Sequence, residues 1–168
     1  APVHLIEFAD FGCGHCRMLY AQVHAAMAQD PSLLRMTFVN YPLNSDCNPA
    51  IKQPFHASAC ELAAASECAH EQGQWAALAP HLFDRGSTLD RAALVALASS
   101  LSMDGDAFAS CLARPETRAR VTRDAELGIA AGVEATPTFL LNGRRVVGGR
   151  PMPVFEAMLA AMKEASRP

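Results

Sequence analysis

Val3-His4-Leu5-Ile6-Glu7-Phe8-Ala9-Asp10-Phe11-Gly12-Cys13-Gly14-His15-Cys16 is the stretch on which the reading of this chain turns. Val3 to Ala9 is a short apolar run suited to a buried strand. Asp10-Phe11-Gly12 breaks it, and from Cys13 to about Met27 the residues Met18, Leu19, Val23 and Met27 recur at helical spacing. Asp30-Pro31 closes that helix, because a residue before proline is pushed out of the helical region. Leu34 to Tyr41, carrying Met36, Phe38 and Val39, reads as a second strand. Strand, helix and strand make a βαβ unit with two cysteines at the start of its helix.

Two cysteines so placed point to a definite chemistry. Disulfide exchange needs one exposed cysteine that is a thiolate near neutral pH and a second close enough to resolve the mixed disulfide. Cys13 falls at the helix N-terminus, where unpaired N–H groups and the macrodipole favour negative charge on sulfur. Cys16, one turn further in and facing the core side, is the candidate resolving thiol. His15, when protonated, adds a second favourable charge beside Cys13. The competing readings are half of a zinc site and a purely structural 13–16 bridge. Zinc needs further ligands at suitable spacing, and no second Cys-x-x-Cys is present; only His56 and Cys60, four apart, suggest a mixed site. No metal and no cofactor are expected.

Outward from the motif, Asn44 to Pro54 is a loop, and the chain is then helical almost throughout to Leu112. The spacing predicts helices over 54–71, 74–84, 90–101 and 104–112, with Asp90 and Asp104 as N-caps. Pro115 suits the first turn of a further helix running to Gly132. Thr138 to Asn142 reads as a strand, Asn142-Gly143 as a hairpin turn, Arg145 to Val147 as the returning strand, and Pro151 to Ala165 as a last helix. Gly148-Gly149-Arg150 reads as a tight turn rather than an anion site. This order predicts an α/β thioredoxin fold with a helical insertion, about 54–114, between the βαβ and ββα halves of a single domain, 1–168.

The chain has 168 residues, 51% hydrophobic and 18% charged, with a net charge of −3, which is ordinary for a globular protein and speaks against nucleic acid as partner. The densest basic run, Arg114, Arg118, Arg120 and Arg123, is followed at once by Asp124 and Glu126, as on a solvated helix face. No apolar run approaches the ~20 residues of a membrane span. The sequence opens almost directly on a core strand with no signal peptide, so any membrane tether is expected to lie outside it. Six cysteines favour an oxidising compartment. Met158, Met162 and Trp75 read as packing residues, and His4, His24, His70 and His81 have no partner spacing.

Phe8-Ala9-Asp10-Phe11-Gly12-Cys13-Gly14-His15-Cys16, followed far downstream by Gly132-Val133-Glu134-Ala135-Thr136-Pro137-Thr138-Phe139, resembles the DsbA family of bacterial thiol–disulfide oxidoreductases. The likeness spans nearly the whole chain. It implies that Pro137 is cis and faces the cysteines, and that Gly14, Thr136 and Pro137 receive the substrate peptide. It also implies that Glu7, six residues before Cys13, is a buried acid able to relay the proton of Cys16. Gly14-His15 departs from the Pro-His of many members and is similar to the eukaryotic disulfide isomerases, which leaves the redox potential open. The 41–60 region is similar to DsbA-like domains associated with vitamin K epoxide reductase-like membrane proteins. The resemblance implies disulfides Cys47–Cys60 and Cys68–Cys111, with free buried thiols as the alternative. The function expected is extracytoplasmic or periplasmic donation of the Cys13–Cys16 disulfide by a monomer to reduced substrate proteins. Re-oxidation would come from a membrane partner of DsbB or vitamin K epoxide reductase type. A disulfide isomerase or reductase kept reduced by a partner, and a peptide-binding chaperone, are the alternatives.

Overall fold

In chain order the elements are β1 (Val3–Ala9), α1 (Gly14–Gln29), β2 (Leu34–Asn40), α2 (Ala59–Glu71), α3 (Trp75–Arg85) and α4 (Arg91–Ser100). After them come α5 (Gly105–Ala113), α6 (Pro115–Ala130), β3 (Thr138–Leu141), β4 (Arg144–Val147) and α7 (Met152–Ala165). The computed structural model describes residues 1–166, and the chain divides into two compact units.

The first unit holds Ala1–Ala9, Cys13–Val39 and the chain from Val133 onward. Its sheet has the order β2-β1-β3-β4, with β1 antiparallel to β3 and β3 antiparallel to β4. Side chains alternate along a strand, so Val3, Leu5 and Glu7 share one face, and all three are fully buried. Leu19, Val23 and Ala26 of α1, Phe139 and Leu141 of β3, and Phe155 and Leu159 of α7 complete this core. Phe139 and Phe155 meet edge to face at 6.3 Å. Met158 and Met162 pack against the same cluster. Asn142 and Gly143 both take positive φ, as a two-residue hairpin demands. The unit is thus a thioredoxin-like α/β layer, and its apolar period explains why β1 and α1 form where they do.

The second unit holds Asp10–Gly12 and Asn40–Gly132 and is helical. It is wider than the 54–114 insertion expected from sequence, because α6 packs on α2. Asn40 Nδ2 donates to Glu67 of α2 and Asp124 of α6, both at 3.0 Å. Arg120 donates to Glu67 and Glu71, and Arg114 also pairs with Glu71. Two members of the basic run, Arg114 and Arg120, therefore tie the start of α6 to α2. Asp90 and Asp104 cap their helices by accepting from Ala93 N–H and Ala107 N–H.

One element starts late. The helix expected from Pro54 begins at Ala59, because Leu43 C=O takes the N–H groups of Phe55 and His56 while Asn44 Nδ2 donates to the His56 and Ala57 carbonyls. A side-chain amide here competes with the helix for backbone groups.

Cys47 is bonded to Cys60 and Cys68 to Cys111, both within this unit. Loop entropy assigns the shorter ring about 3 kcal/mol and the longer about 4 kcal/mol against the unfolded chain. Buried Asp10 accepts from the N–H groups of Gly12 and Leu43, both at 2.6 Å, and from His56 Nδ1 at 3.0 Å. With Cys60 in a disulfide and His56 on Asp10, the mixed metal pair considered from sequence does not form. Among the described residues no group of three metal-ligating side chains gathers.

Candidate active site

Cys13 and Cys16 are the two cysteines outside the disulfides, Cys13 half-buried and Cys16 fully buried. The β1 strand ends at Ala9, the chain turns through Asp10–Gly12, and Cys13 becomes the N-cap of α1 in extended backbone conformation. No side-chain oxygen caps this helix and no acidic residue occupies its first turn. The positive end of the helix is therefore left to the sulfur.

The Thr136–Pro137 peptide bond is cis, and Cys13 Sγ lies 3.5 Å from the Thr136 carbonyl oxygen. Thr138 Oγ1 donates to Ala135 C=O at 2.7 Å and steadies the loop on its other side. The structure thus brings together Cys13, Cys16, Thr136 and Pro137.

The Cys13 thiol is pulled from 9.0 down to about 5. The largest cause is a hydrogen bond from Cys16, partly opposed by burial. The Thr136 side chain and the N–H groups of Cys16 and His15 add to the lowering, although none of these N–H groups reaches full cap geometry. Thr136 plays two parts. Its carbonyl accepts from the thiol, while its buried hydroxyl has no other partner among the described residues and is placed to donate to the thiolate. Removing that donor by Thr136→Val should move the midpoint of thiolate absorbance up by about one pH unit, the worth of one hydrogen bond to a charged group. An unmoved midpoint would show that the hydroxyl takes no part. The backbone N–H of His15 lies close enough to favour the thiolate without closing a cap bond, and its side chain is exposed.

Glu7 lies on β1 opposite Phe139, wholly buried, and neither carboxylate oxygen has a hydrogen-bond partner among the described residues. Burial pushes its pKa up to about 8, and the Cys13 thiolate adds to the rise. At neutral pH Glu7 therefore carries a proton. Tyr20, on α1, is raised to about 12 by its own burial and then by the charge of Glu7, and it stacks on His24 at 4.1 Å. An acid on the first strand was legible from its position; that its oxygens find no hydrogen-bond partner among the described residues was not.

The thioredoxin family profile matches residues 1–161. The chain belongs to the thioredoxin family. Its Cys13–Cys16 pair lies at the start of α1, within the residues that the family profile matches. Among solved structures, a probable DsbA oxidoreductase from Streptomyces coelicolor superposes with a TM-score of 0.81 at 19% identity, covering 99% of this chain and 92% of that one. Oxidised BdbD from Bacillus subtilis gives 0.78 at 19% identity, covering 98% and 89%. At such identities the likeness is one of fold.

The curated relatives differ in kind. The Na(+)/H(+) antiporter NhaA of Herminiimonas arsenicoxydans is 32% identical over 168 residues, which are 99% of this chain and 25% of the antiporter. The antiporter NhaA 3 of Salinispora tropica is also 32% identical, over 98% of this chain and 23% of its own length. The chain therefore spans about a quarter of the curated relatives it matches.

Proposed function

We propose that this chain is a DsbA-like thiol–disulfide oxidoreductase that works outside the cytoplasm as a disulfide donor. The observation that carries the proposal is the Cys13 sulfur, held at the N-terminus of α1 and lowered to about 5. A sulfur that stable as a thiolate is a good leaving group, so a disulfide containing it gives itself up readily.

The steps balance as follows. A substrate thiolate attacks Cys13 Sγ; the Cys13–Cys16 bond breaks and Cys16 leaves as a thiolate, which takes the Glu7 proton. A second substrate thiolate then attacks the substrate sulfur of the mixed disulfide and expels the Cys13 thiolate. The substrate has gained one disulfide, and the enzyme holds two reduced cysteines. Gly14, Thr136 and Pro137 form the edge on which the substrate peptide lies, and His15 flanks the sulfur from the solvent side. Re-oxidation falls to a membrane partner of DsbB or vitamin K epoxide reductase type. Two intact disulfides in the helical unit agree with an oxidising compartment. Relatives that are much longer antiporters favour a place beside a membrane.

The test is oxidative refolding of a reduced, unfolded disulfide protein by the oxidised enzyme. The enzyme should transfer one disulfide per molecule, Cys13→Ser should transfer none, and reduced Cys16→Ser, given the disulfide-bonded form of the same protein instead, should accumulate a mixed disulfide at Cys13 on gels because no second thiol resolves it. Refolding at the full rate by Cys13→Ser would overturn the reading in favour of a chaperone.

A further inference from the structure

The turn between β4 and α7, which the thiol chemistry leaves unused, is held far more firmly than a connection requires. Arg150 Nη1 donates to the carbonyl oxygens of Val147 at 2.9 Å and Gly149 at 3.0 Å, with Gly148 C=O at 3.4 Å. One guanidinium nitrogen thus gathers three successive carbonyls of its own turn. The Arg150 carbonyl in turn accepts from Gln22 Nε2 at 2.8 Å, and Gln22 is a buried amide on α1, the helix that Cys13 caps. A buried amide is costly unless it is bonded. Gln22 spends its donor on this one backbone oxygen, and its own Oε1 has no partner among the described residues.

The far side of the turn reaches the reactive loop. Gly148 N–H donates to Pro137 C=O at 2.7 Å, with Gly148 at φ +78°. That conformation is open to glycine and strained for residues with a Cβ. Gly149 lies directly on the first turn of α1: a Cβ there would sit 2.6 Å from Met18 Cε and 4.0 Å from the His15 carbonyl. The turn is therefore bonded to the cis-proline loop at one end, packed on the His15–Met18 turn at its middle and anchored to α1 at the other. Val147 and Met18, which flank it, are 47% and 40% exposed.

We propose that Gln22 and Arg150 are positioning residues, which hold the Gly148-Gly149 turn so that it fixes the Pro137 carbonyl and forms a third wall of the peptide-binding edge. This rests on the reading that Thr136–Pro137 receives substrate. Because Gly148 already occupies the Pro137 carbonyl, an incoming extended peptide is left the backbone groups of Thr136. Its apolar side chains meet Met18 and Val147. Without the clamp the two glycines regain their freedom, and Pro137 loses its register with Cys13.

The experiment compares the intact oxidised protein with Arg150→Met and Gln22→Met, which keep side-chain bulk and remove the donors. Each is given a reduced two-cysteine peptide and, separately, dithiothreitol, which needs no docking edge. Misplacing a binding edge costs roughly ten- to a hundredfold. For both variants KM for the peptide should rise by roughly tenfold while kcat changes less, and the loss against the peptide should far exceed that against dithiothreitol. Equal losses on both reagents, a fall in kcat alone, or peptide kinetics like those of the unaltered protein would overturn the proposal. If the unaltered protein itself does not oxidise the peptide, it is the reading of Thr136–Pro137 that fails.

Discussion

Thiolate absorbance of the reduced protein at 240 nm should titrate with a midpoint near pH 5, where an unperturbed cysteine would still be fully protonated. The sign of the linked effect follows from the two pKa values. Cys13 ionises at 9.0 when unfolded and about 5 when folded, so its contribution to the reduced fold is complete above pH 9 and is lost as pH falls through 5. The oxidised protein has no thiol at this position and lacks that contribution. Reduction should therefore stabilise the fold at neutral pH, and the advantage of reduced over oxidised protein should shrink as pH is lowered toward 5. Because Cys13 is half-buried, added salt should trim the effect.

A disulfide whose reduced form is the more stable one is oxidising. Equilibration with glutathione should place the potential above the about −270 mV typical of thioredoxin. Urea titrations of the two redox forms at several pH values check the first claim, and the glutathione equilibrium checks the second. A midpoint above pH 8, or an oxidised form more stable than the reduced one at pH 7, would sink both.

The thioredoxin half was legible because its signals are periodic and local. Val3 to Ala9 could hardly be anything but a buried strand, and Asn142-Gly143 marks a hairpin by its backbone preferences alone. Cys13 and Cys16 announced themselves through spacing at a helix start. The start of α2 was not legible, since the five residues before it lose to an amide, Asn44, that is near only after folding. Asp10 reads as a strand breaker in sequence. Its role in gathering Gly12, Leu43 and His56 appears only once residues some 33 and 46 positions away are in place. Arg150 is the sharper case, because a turn rich in glycine looks loose on paper and is clamped by an arginine whose partners are all backbone oxygens. Sequence patterns report side-chain chemistry well and say little about which carbonyls a side chain will find.

Glu7→Gln should make the protein markedly more stable at neutral pH. The carboxyl ionises at 4.5 in the unfolded chain and at about 8 when folded, because burial takes it out of water and the Cys13 thiolate repels the charge, while neither oxygen has a hydrogen-bond partner among the described residues. A folded pKa raised in this way gives stability that is complete below pH 4.5 and drains away as pH rises toward 8. At pH 7 that drain amounts to about 3 kcal/mol, at 1.36 kcal/mol for each pH unit above the unfolded value. Glutamine is neutral at every pH and escapes it, at the smaller cost of burying an amide.

In the reduced protein the falling contribution of Glu7 and the rising one of Cys13 oppose each other between pH 5 and 8, so the natural stability curve should be nearly flat there. Removing Glu7 unmasks the slope of Cys13. In the oxidised protein only Glu7 remains, with burial still the larger cause, and there Glu7→Gln should convert a falling curve into a flat one. Denaturant midpoints of both redox forms from pH 4 to 8 decide the matter; a variant no more stable than the parent at pH 7 would mean that Glu7 is ionised or bonded in the fold. On the proposed relay the gain has a functional cost: glutamine has no proton to give the departing Cys16 thiolate, and oxidation of substrate should slow in the more stable protein. A buried acid whose oxygens find no hydrogen-bond partner among the described residues is poor construction for a core, and the proposed relay gives it a use as a proton store.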